Sequence, residues 1–136
     1  MKALTVKQPW AWAIMHGGKD VENRSRPTKH RGQLYIHAGK THSQEGIDFL
    51  RARGQWPAPT AGTLGMVIGT VDVIDCHHAD ACWTGSVDKD DNVHEEHCSD
   101  WAMEGHYHWV LANPRPLATP FPMQGKLGIW NFGEES

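Results

Sequence analysis

The segment from Gly17 to Arg24 carries side chains that together could bind and transform an anionic substrate. Lys19 is suited to hold a phosphate or to polarise a carbonyl group, and Glu22 is suited to move a proton. Arg24 can bind an anion through two parallel hydrogen bonds. In a regular strand Glu22 and Arg24 share one face, so a salt bridge between them, with Lys19 as a surface base, is the alternative interpretation. Lys19 can meet Glu22 only from the turn after Gly18 or at a bulge.

A second group of reactive side chains lies between residues 76 and 108, where six of the ten histidines and all three cysteines are found. Zinc accepts such donors, but Cys76 and Cys82 are separated by five residues, more than the roughly two to four that usually separate thiolate ligands. An acidic, histidine-rich surface loop without a cofactor is therefore the main expectation, and zinc is the alternative. The candidate zinc ligands are Cys76, His78, Cys82, His97 and Cys98.

The charges of the chain are unevenly distributed. The 136 residues include 13 Lys and Arg and 16 Asp and Glu, and the net charge of −3 taken alone argues against nucleic-acid binding, which needs concentrated basic residues. Residues 1–40, however, carry a net charge of +6, whereas residues 72–104 carry −9. Such an asymmetry is typical of a protein with a charged ligand, and solvated surface faces are the alternative explanation.

Short segments with regularly spaced apolar residues, separated by turn-forming residues, predict that the candidate site residues lie on a mixture of helices and strands. Gln8-Pro9 favours the start of a helix and Gly17-Gly18 favours its end. Residues 63–75 are apolar on both faces, as expected of a central strand. Strands are predicted at 3–6, 19–24, 33–38, 63–75, 107–111 and 126–132, helices at about 8–17 and 43–53, and loops at 55–62, at 76–98 and at the connection with Pro114, Pro116, Pro120 and Pro122.

Several further side chains have two possible roles. Trp10 lies beside the basic segment and could stack on a base. His37 ends a strand, where it is either a hydrogen-bonded residue of the sheet or a site residue. Asp72 is either a structural acid or a polar group at the rim of a cleft. Core positions are predicted for three tryptophans with apolar neighbours, Trp12, Trp109 and Trp130.

Five sequence blocks follow one another along the chain: Gln8-Pro9-Trp10-Ala11, Gly17 to Arg24, Ile36-His37-Ala38, Gly65 to Asp72, and Trp109 to Trp130. In this order they resemble the ASCH domain family over nearly the whole chain. The second block alone, G-x-K-x-x-E-x-R, would be a weak signal, whereas five ordered blocks are specific. The resemblance implies an α+β fold, a small PUA-like β-barrel of about five to six strands with two short helices flanking a cleft.

Members of this family are proposed to bind RNA or modified nucleosides, and one bacterial branch removes the acetyl group from N-acetylated cytidine with a lysine, a threonine and a distant glutamate. The lysine falls on Lys19 and the distant glutamate on Glu104, but Glu22 occupies the threonine position. A carboxylate is a poor substitute for that hydroxyl nucleophile, because its acyl product would be an anhydride. It can still act as a base for water or a ribose hydroxyl.

The resemblance therefore predicts an RNA- or nucleotide-binding protein, with ribonuclease-like hydrolysis of single-stranded RNA as a candidate activity. The alternatives are an amidohydrolase of N-acetylated cytidine-type nucleosides and a non-catalytic reader of RNA or protein. The expected catalytic residues are Lys19, Glu22 and Glu104, and the expected substrate-binding residues are Gln8, Trp10, Asn23, Arg24, His37 and Asp72.

The length favours a single domain over residues 1–136, with an acidic His- and Cys-rich insertion at about 76–98. The longest apolar run, residues 10–15, is shorter than the ~20 residues that a membrane-spanning helix needs. The first residues have no signal-peptide pattern. A soluble, cytoplasmic protein without a membrane partner is therefore expected.

Overall fold

The computed structural model describes residues 1–82, 84–87, 89–91, 93–96 and 98–133. The helices among them are α1 (Trp10–His16) and α2 (Gln44–Ala52), with short 3₁₀ turns at Ala61–Thr63 and Ala79–Ala81. The strands are β1 (Lys2–Gln8), β2 (Val21–Arg24), β3 (Gly32–His42), β4 (Met66–His78), β5 (Thr84–Val87), β6 (Val93–Glu96), β7 (Tyr107–Pro122) and β8 (Ile129–Asn131).

Six of the strands form one mixed sheet in the order β2-β7-β4-β3-β1-β8. β1 is parallel to β3 and antiparallel to β8, and β2 is antiparallel to β7. With its two helices this is the predicted α+β fold, and it is consistent with a PUA-like, barrel-like architecture, although the sheet is not closed. No helix among the described residues is both long and apolar enough to cross a membrane.

The contacts among the described residues divide the chain into two compact units. The first unit comprises Met1–Lys19, Gly32–Asp72 and Asn113–Ser136, and the second comprises Asp20–Arg31 and Val73–Ala112. The long strands β4 and β7 each contribute residues to both units. A single domain over residues 1–136 stays a prediction.

In the first unit, the start and end of α1 follow from local sequence signals. The side-chain Oε1 of Gln8 accepts a hydrogen bond from the backbone N–H of Trp12 at 2.9 Å, which satisfies one of the free donors at the helix start. Gly18, just beyond the helix, has a φ of 82°, a left-handed conformation that glycine adopts without a steric penalty. The buried side of the helix, which includes Ala11 and Ile14, faces β1 and β3.

The start of α2 is also fixed locally, and its first turn lies against α1. Ser43 Oγ accepts a hydrogen bond from the N–H of Gly46 at 3.1 Å, as expected of an N-cap serine. Gly46 allows the helices to approach closely, because a Cβ at this position would lie 3.0 Å from the ring of Trp10. The Trp10 ring also packs on Phe49, with 5.5 Å between the ring centroids.

In the second unit, residues 76–98 contain more regular structure than the sequence predicts. They include the end of β4, the 3₁₀ turn Ala79–Ala81 and an antiparallel hairpin of β5 and β6, in which Thr84 pairs with Glu96. The prediction of a loop is therefore wrong for these residues. A hairpin is held by backbone hydrogen bonds between its own strands, so it can form without the apolar alternation by which strands are recognised in sequences.

Pro114, Pro116, Pro120 and Pro122 lie inside β7, not in the predicted connection. Backbone N–H groups alternate between the two edges of a strand, so prolines at these even positions remove donors from one edge only. β2 pairs with residues 107–110 alone, which leaves the rest of that edge of β7 without a partner strand among the described residues. Met123, at the next odd position, donates its N–H to the carbonyl of Gly65 just before β4 at 3.1 Å, so the prolines face the edge away from β4 and the strand tolerates them.

Gly69 of β4 lies close to Met15 of α1 and to Arg115 of β7. A Cβ at this position would collide with the Met15 sulfur and lie 2.7 Å from the carbonyl oxygen of Arg115. We expect Gly69→Ala to lower the free energy of unfolding by about 1–3 kcal/mol, because a clash with backbone cannot be relieved by a change of rotamer. Urea unfolding followed by tryptophan fluorescence measures this change. The matched control is Gly62→Ala, since a Cβ there meets nothing within 4 Å. Equal stabilities of the two variants would contradict the prediction.

Candidate functional site

Lys19 follows α1 in the first unit. Its backbone N–H donates to the carbonyl of Ala13 at 3.0 Å, so Lys19 belongs to the turn after the helix and not to a strand. The residue is only 4% exposed, and its Nζ lies 5.0 Å from the centroid of the Trp10 ring. This distance is that of a cation–π contact, which is stronger where the ammonium is shielded from water. Lys19 is therefore a buried cation paired with an aromatic face and not a surface base.

The predicted binding residue Gln8 is 1% exposed, and both ends of its amide are bound within the protein. Its Nε2 donates to Thr63 Oγ1 at 2.9 Å, and its Oε1 accepts the N–H of Trp12. Its backbone carbonyl accepts the N–H of Ser43 at 2.7 Å. Gln8 thus joins the end of β1 to α1, to the start of α2 and to the 3₁₀ turn at 61–63.

A cavity of about 180 Å³ lies in the first unit between α1, β4 and β7. Trp12 and His16 form its α1 side, with 6.2 Å between their ring centroids. These residues are four apart and share a helix face, whereas Trp10, two residues before Trp12, points to the opposite side. The other lining residues are Gln8, Pro59, Thr63, Ile68, Pro116, Leu117 and Pro120.

Trp12 was expected in the core, but it is half-buried and lines this cavity. Trp109 and Trp130 are buried as predicted. The spacing of Trp12 and His16 is the sequence signal that could have identified this position. A polar residue one turn after Trp12 on the same helix face is unusual for a face that is buried in the core.

His37 and Asp72 are both hydrogen-bonded within the first unit. His37 is 2% exposed, and its Nε2 donates to the carbonyl of Met123 at 2.6 Å while its Nδ1 lies 3.0 Å from Thr5 Oγ1. Asp72 accepts hydrogen bonds from Arg115 at 2.7 Å and from Asn113 at 2.9 Å. The Arg115 hydrogen bond, followed by that of Asn113, holds the pKa of Asp72 below its ordinary value.

Glu22 and Arg24 of the second unit share a face of β2, as strand alternation predicts. Arg24 donates from Nη2 and Nε to the same Glu22 oxygen, Oε2, at 2.8 and 3.1 Å. The side chain of Glu22 is 8% exposed and that of Arg24 is 30% exposed. The pair is therefore a salt bridge between a buried glutamate and a more exposed arginine side chain.

Asn23 points away from that pair and binds the segment that precedes β7. Its Nδ2 donates to the carbonyl of Trp101, and its Oδ1 accepts the N–H of Met103, both at 2.9 Å. Glu104 comes next in the chain and is exposed, and its carbonyl oxygen accepts a hydrogen bond from His106 Nδ1 at 2.8 Å. Catalytic use of Glu104 and substrate binding by Asn23 stay predictions.

Four potential metal ligands converge in the second unit: His77, Cys82, Cys98 and His108. One ligand atom from each lies within 4.8 Å of all the others. Cys82 and Cys98 are thus the two predicted ligands that the structure brings together. Cys76 and His78 flank His77 in β4 and, by strand alternation, point to the other face, and His97 lies outside the described residues.

The two cysteines of this group titrate differently. Burial and the neighbouring Cys82 thiol raise the pKa of Cys98 to about 12. Burial also acts to raise the pKa of Cys82, but the hydrogen bonds that its sulfur accepts from Cys98 outweigh burial and lower the value. Cys82 is therefore the thiol of this pair that loses its proton first as the pH rises.

The sequence model of the ASCH domain family matches residues 4–121. The chain belongs to the ASCH domain family. Activating signal cointegrator 1 of Mus musculus and that of Homo sapiens are each 32% identical to it over 138 residues, a match that covers 95% of this chain and 22% of either relative. This ASCH domain thus spans about a fifth of the length of these relatives. ASCH domains generally bind RNA.

The geometry of Asn23 predicts a scaffolding role in this ASCH domain. We expect Asn23→Ala to lower the free energy of unfolding by about 1–3 kcal/mol, because it leaves backbone groups of Trp101 and Met103 without their partner. Asn131→Ala, which removes only an exposed hydrogen bond from Lys2, is the control and is expected to change stability little. Chemical unfolding measures both variants. A normal stability of Asn23→Ala combined with a loss of RNA affinity would instead assign Asn23 to the binding site.

Proposed function

We propose that this ASCH domain binds single-stranded RNA or a nucleotide, and that the cavity beside α1 receives one base. The observation that carries the proposal is the pairing of Trp12 and His16 on the wall of that cavity. Proteins that read single-stranded RNA commonly stack unpaired bases on aromatic side chains.

The size and lining of the cavity support a base-sized ligand. Its volume of about 180 Å³ is below the roughly 300–1,000 Å³ of pockets that enclose drug-sized ligands. Apolar side chains, among them Ile68, Pro116 and Pro120, face the aromatic wall, which suits the flat, weakly hydrated surface of a base. His16 is exposed and carries ring nitrogens that can bond to a base edge or a phosphate.

The charged motif residues add recognition of anionic groups to this proposal. The side chain of Arg24 is 30% exposed while it binds Glu22, and an arginine held in this way is preorganised to contact a phosphate. Lys19 contributes positive charge from a shielded position on Trp10. We assign these residues to binding.

The proposal favours a non-catalytic reader over the two enzyme alternatives. Glu22 lacks the hydroxyl that the amidohydrolase branch uses, and its buried carboxylate is bonded by Arg24. The relatives carry a name that describes a cointegrator of activating signals and not a hydrolase.

Replacement of Trp12 tests the base-binding cavity. We expect Trp12→Ala to weaken the affinity for a fluorescently labelled single-stranded RNA of mixed sequence by about 5- to 150-fold, because one stacked base contributes ~1–3 kcal/mol. Trp12→Phe keeps a ring and should retain most of the affinity. Fluorescence anisotropy at a fixed salt concentration measures the change.

The matched control is Trp56→Ala, which removes a half-buried tryptophan that packs on His42 outside the cavity lining. If Trp12→Ala and Trp56→Ala bind RNA equally well, the assignment of the cavity is wrong, even where the wild-type protein binds RNA.

A turnover assay separates the reader from the enzymes. We expect the wild-type protein to bind the RNA and to leave both it and N-acetylated cytidine intact after long incubation, as followed by chromatography of the products. Product formation that disappears in Lys19→Ala and Glu22→Gln would establish a hydrolase and refute the reader.

A further inference from the structure

The group formed by His77, Cys82, Cys98 and His108 has the chemistry and spacing of a metal centre. The four residues come from separate segments: His77 from β4, Cys82 from the turn after Ala79–Ala81, Cys98 from the residues after β6, and His108 from β7. Two thiols and two imidazoles are the donor set of a common type of structural zinc site.

The hydrogen bonds of the two histidines leave the inward nitrogens as acceptors. His77 Nδ1 lies 2.9 Å from Asp75 Oδ2, and His108 Nε2 lies 2.7 Å from the carbonyl of Met103. A carboxylate and a carbonyl can only accept, so these nitrogens carry the protons. In the neutral rings the lone pairs therefore reside on His77 Nε2 and His108 Nδ1.

These two nitrogens lie toward the sulfur atoms. His108 Nδ1 is 3.6 Å from Cys98 Sγ. A tetrahedral zinc site with Zn–S of about 2.3 Å and Zn–N of about 2.0–2.1 Å requires a separation of roughly 3.6 Å between such ligands. His77 Nε2 is buried and has no hydrogen-bond partner among the described residues. Burial of a polar nitrogen without a hydrogen-bond partner is unfavourable. A metal ion bound between this nitrogen and the two thiols would supply the missing partner.

We propose that His77, Cys82, Cys98 and His108 bind one zinc ion as a four-coordinate structural centre. The outer contacts already match such a site. A zinc-bound histidine usually donates its other N–H to a carboxylate or a backbone carbonyl, as His77 does to Asp75 and His108 does to Met103. The backbone N–H of Cys98 donates to Cys82 Sγ at 2.9 Å, a contact that stabilises a thiolate.

Bound zinc would join the two ends of the segment that carries the β5–β6 hairpin. Cys82 precedes β5 and Cys98 follows β6, so the metal would close this segment onto β4 and β7 through the two histidines. The exposed position of Cys98 provides a path for the ion to enter. All four zinc ligands would be side chains of the protein, which is characteristic of a structural zinc site, whereas a catalytic site keeps one position open.

Metal content tests the proposal directly. We expect the full chain, purified under reducing conditions without a histidine tag, to contain one zinc ion per molecule by elemental mass spectrometry. After chelation and refilling with Co²⁺, we expect the intense visible bands of tetrahedral cobalt and a thiolate-to-cobalt charge-transfer band. Zinc far below one per chain, together with an octahedral cobalt spectrum, would overturn the proposal.

Matched variants identify the ligands. We expect Cys98→Ser to raise the zinc dissociation constant by more than about 100-fold, whereas Cys76→Ser, a change outside the group, should leave it unaltered. Circular dichroism of each variant checks that it is folded before the titration. Equal affinities of Cys98→Ser and Cys76→Ser would refute the assignment.

A second pair of variants tests the outer contact of His77 without removing a ligand. Asp75→Asn should weaken zinc binding by about 10- to 100-fold, because it removes the carboxylate that orients the ring. Asp80→Asn is the control, since Asp80 pairs with His78 and not with a residue of the group. Unchanged zinc affinity in Asp75→Asn would contradict this role.

Discussion

The buried amide of Gln8 is the interaction on which the first unit depends. One side chain bonds to the start of α1 and to Thr63, and the carbonyl of the same residue bonds to the residue that caps α2. A buried amide with an unsatisfied end is unfavourable, so these segments have one arrangement in which all the hydrogen bonds are made. That arrangement places Trp12 on the cavity and Trp10 against α2.

The sequence predicted what local interactions determine. The glycines after α1 and the serine before α2 act within a few residues of their own positions, so both helices could be predicted without knowledge of the sheet. The extension of β7 beyond residue 111 could not be predicted in this way, because a proline disrupts a strand only where the edge that its nitrogen faces must pair. The pairing of that edge is decided by the short length of β2, a segment far away in the chain. Nor could the β5–β6 hairpin, which lacks apolar alternation, be predicted.

The same distinction applies to the candidate sites. Strand alternation alone was enough to place Glu22 and Arg24 on one face. The histidine and cysteine group needed the fold, since His108 meets Cys98 only because β7 carries it there, ten residues further along the chain. Residue type alone made Cys76 a candidate ligand, whereas the orientation of β4 selects its neighbour His77. The short interval from His77 to Cys82 was the available signal.

The prolines of β7 also affect how the protein behaves among other molecules. A long strand with one unpaired edge is a template on which a strand of another chain can add, and such additions lead to aggregation. Pro114, Pro116, Pro120 and Pro122 remove donors from that edge at four of the five even positions from 114 to 122, so an incoming strand would find few hydrogen bonds to make. The residues that obscure this strand in the sequence therefore protect it from intermolecular pairing.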